Sequence, residues 1–139
     1  MSVEQINPQK AFELLKNQKN SVLIDVRTNE ELNFVGVVDA SSFENRMIFL
    51  PWQTMPQMQQ NQNFVSDLLA KVNKDNEVLF LCRTGGRSNQ SANLASSLGF
   101  SKCYNILNGF EGDLDSKNHR GLVNGWKASR RRPAGCSRW

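Results

Sequence analysis

Apolar residues recur along the chain at two different periods, and the switches between them outline its elements. In "NPQKAFELLKN", Ala11, Phe12, Leu14 and Leu15 fall on one helical face, behind Asn7 as N-cap and Pro8 at the first helical position. The apolar, β-branched run "SVLIDV" has strand length and ends at Asp25. "TNEEL" predicts a short helical turn, and "RMIFLPW" a second strand stopped by Pro51; the polar "QTMPQMQQNQN" reads as a loop, after which "FVSDLLAKV" restores helical spacing. "EVLFL" is another short strand, "SNQSANLASSL" a helix closed by Gly99, and "KCYNI" a further strand. Strands alternating with helices predict an α/β domain, with a parallel sheet covered by helices on both faces. In such sheets ligands gather at the carboxyl ends of strands, and Asp25 and Cys82 each end a predicted strand. No internal repeat is visible.

At 139 residues, 39% hydrophobic and 22% charged, the chain has the size and composition of one ordinary domain. We expect that domain over residues 1–129, with 130–139 as a basic tail of disordered character. No apolar run approaches the roughly 20 residues that cross a bilayer, so no membrane partner is expected. The first thirty residues carry Glu4 and Glu13 and lack a signal-peptide pattern, which makes the expected compartment cytoplasmic. The formal charge is +4, but Arg130, Arg131, Arg132 and Arg138 all lie in the last ten residues and the remainder is neutral. A nucleic-acid binder should carry a basic face within its fold, so nucleic acid is not an expected partner.

The three cysteines, Cys82, Cys103 and Cys136, are odd in number, without CxxC spacing and without a nearby histidine. Neither a structural metal nor a disulfide framework is expected, and no cofactor is implied. Cys82 stands apart because of its C-terminal neighbours: Arg83, Thr84, Gly85, Gly86 and Arg87 connect the strand to a helix opened by Ser88, a candidate cap. Glycines free to take positive φ let successive N–H groups turn inward as an anion-binding nest, and the helix dipole and Arg87 add to the field that favours a thiolate. A buried structural cysteine is the alternative for Cys82 taken alone. "RTGGRS" lacks the spacing and lysine of a nucleotide P-loop.

The only histidine, His119, lies far from Cys82 in a polar stretch, which gives a Cys–His hydrolase little support. A thiolate in a nest suits two reactions that need little base catalysis: displacement on phosphorus, or attack on a sulfane sulfur to leave a persulfide. Only four residues separate Cys82 from Arg87, and this compact loop favours sulfur over a phosphate or arsenate oxyanion.

With these residues in view, the sequence resembles the rhodanese family of sulfurtransferases. "LFLCRTGGRS" looks like the six-residue active-site loop, and "LIDVRTNEEL" like the upstream D-x-R-x-x-x-E signature, matched by Asp25, Arg27 and Glu31. "FVGV", "GFEGDLD", "HRG" and "GWK" resemble segments of single-domain, particularly alphaproteobacterial, members, and the likeness spans roughly residues 5 to 128. The resemblance implies a central parallel sheet, no cofactor, and Cys82 carrying sulfur as a persulfide between a small-molecule donor and a thiophilic acceptor, cyanide, thiol or protein. It further implies that the backbone from Arg83 to Ser88 cradles the sulfur, that Arg87 holds the loop, and that Arg83 at the mouth binds thiosulfate or a sulfonate-like group. Asp25 would sit beside the loop, and Arg27 with Glu31 would form a structural ion pair. A non-catalytic module, or one relaying sulfur from protein to protein, remains the alternative.

The chain departs from the family pattern at "GVVDA", which lacks a histidine, at Leu32 in place of an aromatic, and in the tail after "GWKAS". "DLDSKN" lacks the glycine and distal glutamate of a calcium loop. Trp52, Trp126 and Cys103 are expected to pack in the core or its loops, with a resolving-thiol role for Cys103 as the alternative.

Overall fold

A computed structural model describes residues 3–130 and Trp139; Cys136, Arg131, Arg132 and Arg138, and with them most of the expected tail, lie outside the described residues. Strands β1 (Glu4–Ile6), β2 (Ser21–Asp25), β3 (Met47–Phe49), β6 (Glu77–Leu81) and β7 (Lys102–Ile106) form one sheet in the order β1-β7-β6-β2-β3. Every pairing in it is parallel. Helices α1 (Pro8–Asn17), α2 (Asn29–Val35), α3 (Phe64–Lys71), α4 (Gly86–Ser97) and α5 (Gly125–Ser129) supply the crossovers and covers.

The α1 reading holds to the residue: the Asn7 side chain accepts from the Lys10 amide at 2.7 Å, and Pro8 occupies the first turn, where its missing N–H costs nothing. Among the elements that were not legible are β1 and a small hairpin. β1 is three residues long with a single buried side chain, too short for alternation to show. The stretch expected as a loop after Pro51 contains a small antiparallel hairpin, β4 (Gln53–Thr54) with β5 (Gln59–Gln60), closed by a turn containing Pro56. Its strands are two polar residues each, so main-chain bonding forms them without a hydrophobic signal.

β6 is buried at all five positions, as a central strand of a doubly covered parallel sheet must be. Its alternation sorts the core into two layers. Val78, Phe80 and Cys82 pack with Ile24, Phe64, Leu68, Ala92 and Ala95 on the α3/α4 side. Leu79 and Leu81 pack with Leu23, Ala11, Leu15, Phe110 and Trp126 on the α1/α5 side. Trp126 is thus a core residue, while Trp52 stacks edge-on against Phe64 at 4.8 Å and donates to Gln90 at 3.1 Å. Cys82 therefore leaves the carboxyl end of the central strand on the face that α4 covers. Among the described residues no helix is long and apolar enough to cross a membrane.

Candidate active site

The chain turns sharply after Leu81, and Gly85 makes the turn: its φ of 110° lies in the region that side chains disfavour. Gly85 then serves as N-cap of α4, and its N–H donates to Cys82 Sγ at 3.1 Å. Gly86 does not share this role, because its φ is not positive and a Cβ there would meet nothing within 4 Å. It is exposed.

α4 begins at Gly86, two residues earlier than the cap expected at Ser88, and no side chain caps it. The first intrahelical bond runs from Asn89 N–H to Gly85 C=O at 3.2 Å, so the amides of Gly86, Arg87 and Ser88 have no intrahelical acceptor. The positive end of this twelve-residue helix lies beside Cys82, a residue that is 1% exposed, and the Gly85 N–H is the backbone donor on its sulfur.

Ser88 is fully buried, and its hydroxyl faces two acceptors, Cys82 Sγ at 3.2 Å and Asn105 Oδ1 at 2.5 Å. It has one proton to give. Asn105 is fixed by its own amide, which donates to Gln5 Oε1 at 2.7 Å and to Gly85 C=O at 3.2 Å, so its oxygen must point at Ser88. The strand end of β7 thereby holds both the turn glycine and the hydroxyl that touches the sulfur. Asn105 was missed in the sequence; its only signal is a polar residue at a position of "KCYNI" that shares the buried parity of Cys103.

A second missed support is the turn after β7. Phe110 N–H donates to Cys82 C=O at 2.8 Å, and Glu111 and Gly112 N–H donate to Arg83 C=O at 2.9 and 3.3 Å. This contact is possible because Gly109 lacks a side chain: a Cβ there would come within 2.5 Å of Cys82 O and 2.6 Å of Arg83 C.

The ionic partners differ from those expected. Arg27 does not pair with Glu31. Its Nε and Nη2 grip Asp25 at 2.9 and 2.7 Å, and both side chains are fully buried, where an unpaired carboxylate would be costly. The guanidinium also lies 4.2 Å over the Phe110 ring. Asp25, level with Leu81 at the end of β2, shares the strand parity of Leu23, so its carboxylate faces the α1/α5 side, where Arg27 holds it. Glu31 reaches Arg87, with Oε1 to Nη1 at 2.6 Å and Oε2 to Nη2 at 2.8 Å. The reason is local. Thr28 and Glu31 form a capping box on α2, which aims the Glu31 carboxylate across at α4.

Burial alone would raise the Glu31 pKa, but the hydrogen bonds and charge of Arg87, with the Thr28 amide and hydroxyl, hold it below its ordinary value. Arg87 is pushed up by its bonds to Glu31, against the effect of its burial, and further by the charges of Glu31, Cys82 and Asp25. Arg83 is half exposed and ion-paired to Glu111 at 3.2 Å. Thr84 is exposed beside it. The structure thus gathers Cys82, Gly85, Arg87 and Ser88 with Glu31 and Asn105, while the Asp25–Arg27 pair packs on the α1/α5 side, near enough for the Asp25 charge to act on Arg87.

Cys103 is buried on β7, level with Val78, and Cys82 lies four residues further along the neighbouring strand, about 13 Å away at the usual rise. Burial pushes the Cys103 thiol up to about 11. It is a core residue. Among the described residues no cluster of His, Cys, Asp and Glu is placed to hold a metal, and Asp115 instead accepts the Lys117 and His119 amides at 2.8 Å each.

Known proteins bear on this arrangement. The Rhodanese-like domain family matches residues 8–115. The "Uncharacterized protein RP600 homolog" of Rickettsia rickettsii is 39% identical over 129 residues, covering 91% of this chain and 94% of its own. The crystal structure of Rv0390 from M. tuberculosis superposes with a TM-score of 0.85 at 39% identity, covering 93% of this chain and 95% of that one. The polysulfide-sulfur transferase homodimer of Wolinella succinogenes shares the fold, with a TM-score of 0.58 at 24% identity over 77% of this chain and 69% of that one. A parallel sheet with a cysteine loop at its central strand end, matched over most of its length by these relatives, places the chain in the rhodanese-like domain family.

Proposed function

We propose that the protein is a sulfurtransferase, moving sulfane sulfur from thiosulfate or a persulfide to a thiophilic acceptor through a persulfide on Cys82. The observation that carries this reading is the setting of Cys82 Sγ, which accepts from Gly85 N–H and faces the Ser88 hydroxyl in the first turn of α4. Those donors stabilise negative charge on a sulfur, first on the thiolate and then on the outer persulfide sulfur. The thiolate attacks the outer sulfur of the donor and forms a new S–S bond, while the donor's own bond to that sulfur breaks and its electron pair leaves on sulfite or a thiolate. Cyanide, a small thiol or a protein thiol then attacks the outer sulfur and returns Cys82 as thiolate. Both leaving groups are stable anions, so neither half of the cycle needs a histidine.

Arg87 holds the loop to α2 through Glu31, and Arg83, Thr84 and Gly86 form the exposed mouth. We place the reaction in the cytoplasm, the reducing compartment in which free thiol acceptors persist. Relay of sulfur to a protein is the second reading, favoured by Phe49 and Leu107, exposed apolar side chains at or just beyond the ends of strands in the same sheet.

Intact mass before and after a sulfur donor tests the proposal. A Cys82-dependent gain of one sulfur atom, about 32 Da, that cyanide or a thiol removes is the expected result. No gain from either thiosulfate or a persulfide would refute it. Loading without release to small acceptors would favour the relay.

A further inference from the structure

We infer that Trp139 is a positioning residue for Cys82, clasping together two supports of the cysteine loop; the inference rests on the proposed sulfur transfer at Cys82. Trp139 lies beyond the domain boundary expected at residue 129, yet it packs against the core layer that holds Phe110 and Trp126. Its indole meets the Phe110 ring at 5.7 Å in a T-shaped contact, and the Lys127 ammonium lies 4.4 Å over the indole. Its main chain is tied on both sides: the amide donates to Val37 C=O at 2.8 Å, and the main-chain oxygen accepts from Trp126 Nε1 at 2.9 Å. Trp126 is fully buried, so this oxygen satisfies an indole N–H that would be costly to leave unpaired.

These contacts reach the cysteine loop by two short routes. The first runs through Phe110, whose amide holds Cys82 C=O at 2.8 Å, in a turn that the Trp126 and Lys127 amides tie at Gly109 and Phe110. Removing the indole leaves a void beside the Phe110 ring, into which the ring and its amide can shift. The second route runs through Val37, which follows Gly36, the C-cap of α2; that helix carries Glu31, the partner of Arg87 at 2.6 and 2.8 Å. One residue therefore bridges the turn that holds the Cys82 carbonyl and the helix that holds the Arg87 side chain. Cys82 depends on both, because the Gly85 amide and the Ser88 hydroxyl must stay on its sulfur as charge arrives there.

Trp139→Ala keeps both main-chain bonds and removes the ring, which isolates the contact with Phe110. The amides of Phe110 and Glu111, which hold the Cys82 and Arg83 carbonyls, are expected to lose about tenfold in hydrogen-exchange protection. Sulfur loading of Cys82 by thiosulfate and by a persulfide, followed by intact mass at saturating donor, should slow about tenfold, with the half-saturating donor concentration within about twofold of wild type. Trp139→Phe, which keeps an aromatic edge for Phe110 and a face for Lys127, should recover both readouts to within about threefold. If Trp139→Ala does not fold, Trp139→Leu, with its smaller void, takes its place. Val72→Ala is the stability control: Val72 is buried at the end of α3 that leads into β6, away from Cys82, and its truncation should lower the urea midpoint without changing loading. Loading by Trp139→Ala within about twofold of wild type, protection retained at Phe110, or equal slowing in Val72→Ala overturns the inference while the sulfurtransferase reading stands. If no donor loads a wild-type Cys82 that iodoacetamide still alkylates, the sulfurtransferase reading falls, and exchange at Phe110 decides the clasp: lost protection upholds it and retained protection overturns it.

Discussion

Replacing Glu31 with Gln removes a charge that lies outside the cysteine loop but fixes how it sits. The Glu31 and Arg87 side chains are 20% and 17% exposed, so their pair is only partly screened by water. Two charges about 4 Å apart at an effective dielectric of 20 attract by ~4 kcal/mol, and desolvation of both offsets much of that. Net values for hydrogen bonds to charged groups run at about 1.5–3 kcal/mol, and we take ~2 kcal/mol for the Glu31–Arg87 coupling. The glutamine side chain would keep a carbonyl for the Thr28 amide, so Glu31→Gln should lose the pair alone, and Glu31→Ala about 1 kcal/mol more with the capping box.

The assay is urea unfolding of Glu31→Gln, Arg87→Ala and the double variant. With m between about 1 and 3 kcal/mol per molar, a loss of ~2 kcal/mol moves the midpoint by about 1 M. The pH dependence provides a second reading of the same pair. The folded-state pKa of Glu31 is depressed from its ordinary 4.5, so its contribution is fully present above that value and is lost as pH falls through the folded pKa. Wild type should therefore lose its advantage over Glu31→Gln below about pH 4.5 and keep it at neutrality. A coupling under ~0.5 kcal/mol, or an advantage that does not change with pH, would refute the assignment of Glu31 as the anchor of Arg87.

Other substitutions read the rest of the site. Ser88→Ala should slow sulfur loading of Cys82 about tenfold, and Asn105→Leu should slow it too, because the turn at Gly85 loses the amide that holds its carbonyl; the check is single-turnover loading by mass. Gly109→Ala should destabilise the fold by ~2 kcal/mol or more in urea, since it puts a side chain at φ 62° against the Cys82 and Arg83 backbone. Cys103→Ser should leave turnover with cyanide unchanged, and native Cys103 should resist iodoacetamide at pH 8, because burial holds its thiol near 11.

The sequence patterns that located α1, β2, β6 and α4 did so because each element's own residues announce it: a capped amphipathic turn, or an apolar run of strand length. The cysteine loop was legible for the same reason, as strand, glycine turn and helix are contiguous. What escaped was pairing across the chain. Arg27 and Glu31 sit four apart, a spacing that suggests a partnership, yet Arg27 precedes α2 and its neighbour two residues back is a fully buried aspartate. Burial decides the pairing, and burial of Asp25 comes from β2 lying between β6 and β3. Asn105 and Gly109 were invisible because their importance comes from the parallel placement of β7 beside β6, 20 residues or more from the cysteine. The cap expected at Ser88 shifted because its hydroxyl is claimed by the sulfur and Asn105.

The loop around Cys82 is therefore less self-contained than its six-residue motif suggests. Its carbonyls at Cys82 and Arg83 are held by the amides of Phe110, Glu111 and Gly112, its turn glycine by Asn105, and its closing arginine by Glu31. The internal contact is the Gly85 amide on the sulfur, and the Ser88 hydroxyl completes it from the first turn of α4. A loop held from three sides keeps the Gly85 amide and the Ser88 hydroxyl on the sulfur without reorganising when charge arrives there, which is the condition for electrostatic stabilisation of a thiolate and of the persulfide that replaces it. Grafting "CRTGGRS" alone onto another parallel strand end should therefore reproduce the sequence motif but not the reactivity, whereas a graft carrying the equivalents of Glu31, Asn105 and the Gly109 turn should recover it. Equal iodoacetamide reactivity of Cys82 in the two grafts would show that the loop needs none of its supports.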